Sequence, residues 1–108
     1  MPQLASPASL ADYQAYVQAL ELERGFADQD VLQKCLLLGE EVGELFKAIR
    51  KAQGMVVDEK AQIGGAGDEL ADVLILLCAI ANRCGVDLEQ AFLAKEEINK
   101  TRRWVSAA

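Results

Sequence analysis

Apolar residues recur at steps of three and four along most of this chain, and this spacing constrains its fold more than any other feature. The period matches the about 3.6 residues per turn of an α-helix, so each stretch places its apolar side chains on one helix face. No stretch alternates between apolar and polar residues as a strand does. The sequence therefore predicts an all-α fold, a bundle of four helices.

Local capping signals set the expected ends of these helices. Ser9, followed three residues later by Asp12, predicts the start of the first helix, and Gly25 predicts its end. Asp87 followed by Gln90 predicts the start of the fourth helix in the same way. The expected limits are Ser9 to Gly25, Asp28 or Asp30 to Gly54, Asp68 to Cys84, and Asp87 to about Arg103.

The third helix is apolar nearly all round, since only Asp72 interrupts the apolar residues 70–81. A helix of this kind lies centrally in a bundle, and the stretch is too short to span a bilayer. We also expect Phe46 and Phe92 in the core. Gly39 and Gly43 interrupt the second helix at a cost of about 1 kcal/mol each. Either close packing of another helix or room for a ligand would offset that cost.

Two segments lack helical periodicity, residues 1–8 and residues 54–67. The second contains Gly64, Gly65 and Gly67, so a flexible linker is expected, with a lid or a partner-contacting loop as the alternative. Its glycines are not followed by the Lys-Ser/Thr pair of a phosphate-binding loop. All 108 residues are expected to form a single domain.

The chain contains no histidine. This excludes a Ser-His-Asp or Cys-His nucleophilic site, an imidazole general base and a His-ligated zinc ion. Any hydrolytic chemistry must therefore rely on carboxylates, and a hard metal ion is the expected companion.

The net charge and the cysteine content limit which partners and which cellular compartment are expected. A net charge of −6 disfavours a general nucleic-acid binder, because such proteins carry a basic surplus. Three cysteines cannot all pair within one chain, and each lies in an apolar helical context. Buried reduced thiols in a cytoplasmic protein are expected, with neither a signal peptide nor a membrane partner.

Acidic residues form two short motifs. Glu40, Glu41 and Glu44 read E-E-x-x-E on the second helix, and Glu69 and Asp72 read E-x-x-D on the third. Residues three apart lie almost one turn from each other, so both carboxylates of such a pair can reach one ion. If the two helices pack antiparallel, four carboxylates face one another. All-oxygen ligation suits Mg²⁺, with Mn²⁺ as a substitute.

Asp72 interrupts the most apolar segment of the chain, where an unpaired carboxylate is costly. We therefore expect a cation beside it. The alternative to a metal ion is a structural salt bridge to Arg83, Lys47 or Arg50.

The two motifs, GEEVGELFKAIRK and DELADVLILL, resemble those of the MazG-type nucleotide pyrophosphohydrolases of the all-α nucleoside triphosphate pyrophosphatase superfamily. The resemblance covers about residues 28–104. It implies hydrolysis of a (d)NTP to the monophosphate and pyrophosphate, with Mg²⁺ held by Glu41, Glu44, Glu69 and Asp72. Glu40 would act as a base, orient water or support the ligands. The resemblance also implies a homodimer or homotetramer that completes the bundle.

Candidate substrate contacts lie mainly on the fourth helix. Lys95, Asn99 and Arg103 share one face through i, i+4 steps, and the resemblance implies that Lys95 and Asn99 lie near phosphates and sugar. The alternative is a solvated basic helix end. Lys47 would meet phosphate or pair at the surface. Trp104 is expected in the core or an oligomer interface, with stacking on a base as the alternative.

The favoured interpretation is a Mg²⁺-dependent nucleoside triphosphate pyrophosphohydrolase with a house-cleaning role in the nucleotide pool. A phosphoribosyl-ATP pyrophosphohydrolase-like enzyme would keep the fold and the metal motif and change the substrate. The remaining alternative is a non-catalytic helical oligomer that binds metal or nucleotide, and the presence of all five motif acids argues against it.

Overall fold

A computed structural model describes residues 1–107 of the chain. This part contains four α-helices and no β-strand, as the apolar spacing predicts. No helix within it is long and apolar enough to cross a membrane. The helices are α1 (Leu10–Arg24), α2 (Val31–Ala52), α3 (Ala66–Arg83) and α4 (Leu88–Asn99).

Three of the helix starts follow the capping signals. Ser9 and Asp12 form a reciprocal capping box at α1, and Asp30, not Asp28, forms one with Gln33 at α2. The Asp87 side chain accepts the backbone N–H of Gln90 at the start of α4. The left-handed Gly25, with φ of 77°, ends α1 as expected.

Two predicted helix ends are wrong. Helix α3 begins at Ala66, before the expected Asp68, because the carbonyl of Gly65 already accepts the N–H of Glu69 at 3.2 Å. Helix α4 ends at Asn99, well before Arg103. Beyond its end the Thr101 hydroxyl donates to the Ile98 carbonyl at 2.7 Å, so a turn replaces the next helical turn.

The core lies where α1 packs against α3. Val17 and Leu20 of α1 meet Cys78 and Ala79 of α3, with partly buried tyrosines of α1 around them. Helix α2 packs along another side of α3. The predicted central position of α3 is therefore confirmed, although Leu70 stays half exposed because neighbours cover α3 on only some of its sides.

Helix α4 is joined to α1 through Gln14, which is buried. The Gln14 amide nitrogen donates to the Val86 carbonyl at 2.8 Å and to Asn82 at 3.1 Å. Its amide oxygen accepts the N–H of Leu88, the first residue of α4, at 2.8 Å. One buried side chain thus fixes the start of α4 by hydrogen bonds, in addition to the apolar contact of Leu88 with the core.

An ionic cluster ties together α1, α2 and α3. Both carboxylate oxygens of Glu21 accept from Arg83, at 2.8 and 2.7 Å, and Lys34 Nζ lies 3.0 Å from Glu21 Oε2. Burial alone would raise the pKa of Glu21, but hydrogen bonds from Arg83 and Lys34 outweigh it and hold the pKa below the ordinary value. Arg83 also donates to the carbonyls of Phe26, Gln29 and Ala79.

Several predictions of burial are wrong for the single chain. Phe46 and Phe92 are 64% and 63% exposed, because no described helix covers their side of α2 or α4. Cys35 and Cys84 are exposed free thiols, and only Cys78 is buried.

Within residues 1–107, no helix packs closely on the two glycines of α2. A Cβ atom added at Gly39 or Gly43 would meet no described atom within 4 Å. The expectation of close helix packing is therefore wrong within the described chain. Both glycines instead line an open concavity of about 650 Å³, shared with the acidic motif of α2.

Candidate metal and nucleotide site

Three carboxylates meet where α2 packs along α3. Glu41 of α2 and Glu69 and Asp72 of α3 each offer an oxygen atom, and these three atoms lie within 4.8 Å of one another. Glu69 and Asp72 belong to the first two turns of α3, where their spacing puts both on the side that faces α2. The two sequence motifs thus converge on one point, and we call these three residues the carboxylate cluster.

The electrostatics of the carboxylate cluster favour a cation. Partial burial, hydrogen bonding with Glu69 and the nearby charges of Asp72, Glu69 and Glu44 all raise the pKa of Glu41. A divalent cation would reverse this repulsion. Because every donor is a carboxylate oxygen, the set fits Mg²⁺ or Mn²⁺ and not a soft metal.

The other two acids of the α2 motif lie beside the carboxylate cluster. Glu44 is outside the group of three, and its Oε1 lies 3.8 Å from Lys47 Nζ on the half-exposed surface. Glu40 is exposed and lines the open concavity together with Glu44 and Lys47. Lys47 therefore makes the surface pair that the sequence left open.

Asp72 is exposed, against the expectation of a desolvated position, because the start of α3 is covered on only some sides. Among residues 1–107 it makes no ion pair, so the structural salt bridge is wrong as an alternative. The candidate bases have other partners: Arg83 bonds Glu21, Lys47 pairs with Glu44, and Arg50 donates to the Val56 carbonyl.

Glycine lets the connection before α3 approach the carboxylate cluster. A Cβ atom added at Gly64 would lie 2.6 Å from Oε1 of Glu69. Any other residue at this position would push the Glu69 carboxylate aside. The end of the 54–67 segment therefore lies against a candidate ligand.

The basic residues of the last helix do not join the carboxylate cluster within the described chain. Lys95 is exposed beside an apolar groove. The Asn99 amide nitrogen donates to Glu96 at 3.1 Å, while its buried oxygen has no partner among residues 1–107. Arg103 lies beyond the end of α4, so the predicted shared face fails for it. Trp104 is 75% exposed, which contradicts a place in the core of this chain.

A cavity of about 380 Å³ opens next to the carboxylate cluster. Glu41 and Asp72 line it together with Lys34, Glu21 and Phe26. Sequence reasoning missed Lys34, which is only 4% exposed. The available signal was its position seven residues before Glu41, which puts the two side chains on the same face of α2, two turns apart.

The fold and the site together define an all-α protein with a candidate carboxylate metal centre. The model of the MazG nucleotide pyrophosphohydrolase domain family matches residues 29–103. The chain belongs to this family.

Two relatives of this chain are named for the hydrolysis of deoxynucleoside triphosphates. Over 103 residues the chain is 33% identical to the dATP/dGTP diphosphohydrolase of Cyanophage S-2L, covering 94% of this chain and 83% of that protein. Human dCTP pyrophosphatase 1 is 42% identical over 74 residues, which cover 62% of this chain and 42% of that protein. The chain thus spans less than half of the human relative.

A solved structure supports the likeness of the fold. The Cyanophage S-2L MazG-like pyrophosphohydrolase, bound to dGDP and three catalytic Mn²⁺ ions per active site, superposes with a TM-score of 0.70 at 32% identity. The match covers 95% of this chain and 89% of that one.

Proposed function

We propose that this protein is a Mg²⁺-dependent nucleoside triphosphate pyrophosphohydrolase that converts a (d)NTP and water to the monophosphate and pyrophosphate. One observation carries the proposal: Glu41, Glu69 and Asp72 bring oxygen atoms within 4.8 Å of one another. The names of the cyanophage and human relatives support the same reaction class. The proposal includes a house-cleaning role in the nucleotide pool, with canonical or damaged deoxynucleotides as substrates.

The residues of the site have distinct parts in this reaction. Glu41, Glu69 and Asp72, with Glu44 beside them, would hold Mg²⁺ or Mn²⁺. When bound, the ion neutralises phosphate charge and lowers the pKa of a water molecule. Glu40 is exposed next to these groups and would orient that water or accept its proton.

Basic and aromatic residues nearby would bind the substrate. Lys47 lies within one turn of Glu44 and is placed to exchange that partner for a phosphate. Lys95, Asn99 and Arg103 would reach phosphate or sugar from the end of α4, and Trp104 would stack on a base. A second copy of the chain would have to bring these α4 groups to a carboxylate cluster, because within one chain they lie apart from it.

Self-association is the second part of the proposal. Leu74, Leu77 and Phe92 line an apolar groove of about 440 Å³ between α3 and α4, and all three are exposed. A homodimer or homotetramer would bury this surface. Light scattering during gel filtration tests it: Phe92→Glu should convert the oligomer to a monomer, whereas Gln90→Glu on the same helix should not. A monomeric wild type would contradict it.

The reaction itself is tested by product analysis. The purified protein is incubated with each dNTP and NTP, with Mg²⁺ present or chelated, and products are separated by ion exchange. We expect Mg²⁺-dependent monophosphate plus pyrophosphate, lost in Glu41→Gln and kept in Glu59→Gln, a matched change in the connection between α2 and α3. Diphosphate plus phosphate would show a different bond cleaved. No turnover by folded protein would favour a specialised substrate or a binding module.

A further inference from the structure

Helix α4 is the helix that the rest of the described chain holds least. Among residues 1–107, α1, α2 and α3 each bury at least two side chains, whereas α4 buries none. Its first residue, Leu88, packs against the core, while Phe92 and Ile98 are more than half exposed. The direction of α4 therefore depends on what holds its first turn.

That first turn is held by a hydrogen-bond network centred on Gln14. Besides the bonds of the Gln14 amide to Val86, Asn82 and Leu88, the Asn82 amide donates back to the Gln14 backbone carbonyl at 2.9 Å. The two donors and the acceptor of the Gln14 amide are thus all occupied, which fixes the plane of the amide as well as its position. Apolar contact has no preferred direction, whereas three hydrogen bonds to one planar group do.

A small rotation at this point becomes a large displacement at the far end of α4. Lys95 and Asn99 follow Leu88 by seven and eleven residues, so they lie about 10 and about 16 Å from it along the helix axis. A rotation of about 10° at Leu88 would move Asn99 by about 3 Å. Hydrogen-bond distances vary over only about 0.5 Å, so such a shift would break a contact with a bound molecule.

We propose that Gln14 and Asn82 are positioning residues for substrate binding: they set the direction in which α4 leaves the core, and through it the place where Lys95 and Asn99 meet the substrate. The inference rests on the proposed function, in which the end of α4 reaches a nucleotide held with a second copy of the chain. Oδ1 of Asn99 is buried and has no partner in the described chain, which is typical of a group that accepts from a bound molecule.

Calorimetric titration separates a positioning role from a merely structural one. The α,β-methylene analogues of dATP, dGTP, dCTP and dTTP are titrated into the intact protein with Mg²⁺, and the analogue that binds most tightly is used for the variants. Gln14→Leu keeps an apolar side chain of similar size without its hydrogen bonds. It should raise the Kd about tenfold and leave the number of sites unchanged. Partial unfolding would instead lower the number of sites at an unchanged Kd.

Two further single changes accompany this variant. Gln18→Leu, at an exposed position one turn further along α1, is the matched control and should keep the wild-type Kd. Asn82→Ala is the milder change, needed if Gln14→Leu does not fold. It removes the longest bond of the Gln14 amide and leaves the bonds to Val86 and Leu88. The Kd should rise in the same direction, by about threefold.

A combined variant tests whether the effect passes through α4. In a chain that already carries Lys95→Met and Asn99→Ala, Gln14→Leu should raise the Kd by less than about twofold, because the groups that it displaces are absent. A full tenfold rise in that background would show that Gln14 acts elsewhere and would overturn the inference.

The remaining outcomes separate this inference from the proposed reaction. An unchanged Kd in both Gln14→Leu and Asn82→Ala would overturn the positioning role, whether or not the protein hydrolyses a dNTP. A raised Kd with a lower molar mass in light scattering would assign the network to self-association and would also overturn it. A Kd that rises through Lys95 and Asn99, together with no hydrolysis of any dNTP, would support the inference and contradict the reaction. Failure of wild type to bind any analogue would overturn both.

Discussion

Glu21 and Arg83, which are 62 residues apart in sequence, form a two-point ion pair that joins the last turns of α1 and α3. The pair lies inside the protein, with side-chain exposures of 6% and 15%. Its members also fix Lys34 and two carbonyls of the α1–α2 connection. The ends of α1 and α3 are therefore held together by an ion pair and its hydrogen bonds in addition to the apolar contacts of the core.

Removing the Glu21 carboxylate should show how much this ion pair contributes to the free energy of unfolding. Glu21→Ala leaves Lys34 and Arg83 buried without their shared carboxylate, and we expect a loss of about 3–5 kcal/mol in the free energy of unfolding. Urea denaturation measures it. Glu23→Ala, an exposed glutamate of the same helix, should change stability by less than about 0.5 kcal/mol. Equal effects from the two changes would refute the role of the pair.

The same carboxylate should make stability depend on acid. The pKa of Glu21 is lowered in the folded state, so its contribution is complete above the unfolded pKa, near 4.5, and is lost as the pH falls through the lower folded pKa. Urea titrations over this range should show wild type losing stability more steeply than Glu21→Gln. Parallel curves would mean that other groups carry the acid sensitivity.

Repulsion among the carboxylates of the cluster should lower the free energy of unfolding when no cation is bound. Mg²⁺ at about one hundred times its dissociation constant should stabilise the fold by about 2.7 kcal/mol. Thermal melts with Mg²⁺ or with chelator measure this shift. Glu41→Gln should melt higher than wild type in chelator, because it removes like-charge repulsion, and should lose the response to Mg²⁺. A full response in that variant would exclude Glu41 as a ligand.

A substitution at Gly64 should displace the Glu69 carboxylate without changing Glu69 itself. In Gly64→Ala the new methyl group displaces Glu69 Oε1, and we expect kcat to fall by about tenfold, a loss of about 1.4 kcal/mol in transition-state stabilisation. Gly67→Ala is the matched control, since a Cβ atom there meets nothing within 4 Å in the part of the chain that the structure describes. Pyrophosphate release measures both. If both variants keep the wild-type kcat, the close approach of Gly64 to Glu69 does not affect the reaction.

Local sequence signals predicted the helices and part of the site well. Ser9 and Asp12 cap α1 as expected because both partners lie within one turn. The meeting of Glu41 with Glu69 and Asp72 was foreseeable because apolar stripes beside the acids bring α2 and α3 together. Such signals need no knowledge of the rest of the fold.

Burial of single residues was less predictable, because it depends on which helix covers which face. Lys34 is buried although lysine is normally exposed, since Glu21 and Arg83 come to it from distant parts of the chain. Phe92 is exposed although it lies on the apolar stripe of α4, since the described chain has nothing to cover it. The spacing of apolar residues within one helix does not indicate which of its faces another helix covers.

The connection between α1 and α2 and the connection between α2 and α3 should differ in how much change of length they tolerate. The α1–α2 connection is fastened to α3 by Arg83 through the carbonyls of Phe26 and Gln29, so an inserted residue would break those bonds or pull Arg83 from Glu21. Between α2 and α3, hydrogen bonds such as Ala61 N–H to the Asp58 carbonyl are local, and an insertion would cost little closure entropy. Length differences among relatives should therefore accumulate around residues 55–63, leaving Gly64 and the ligands behind it in place.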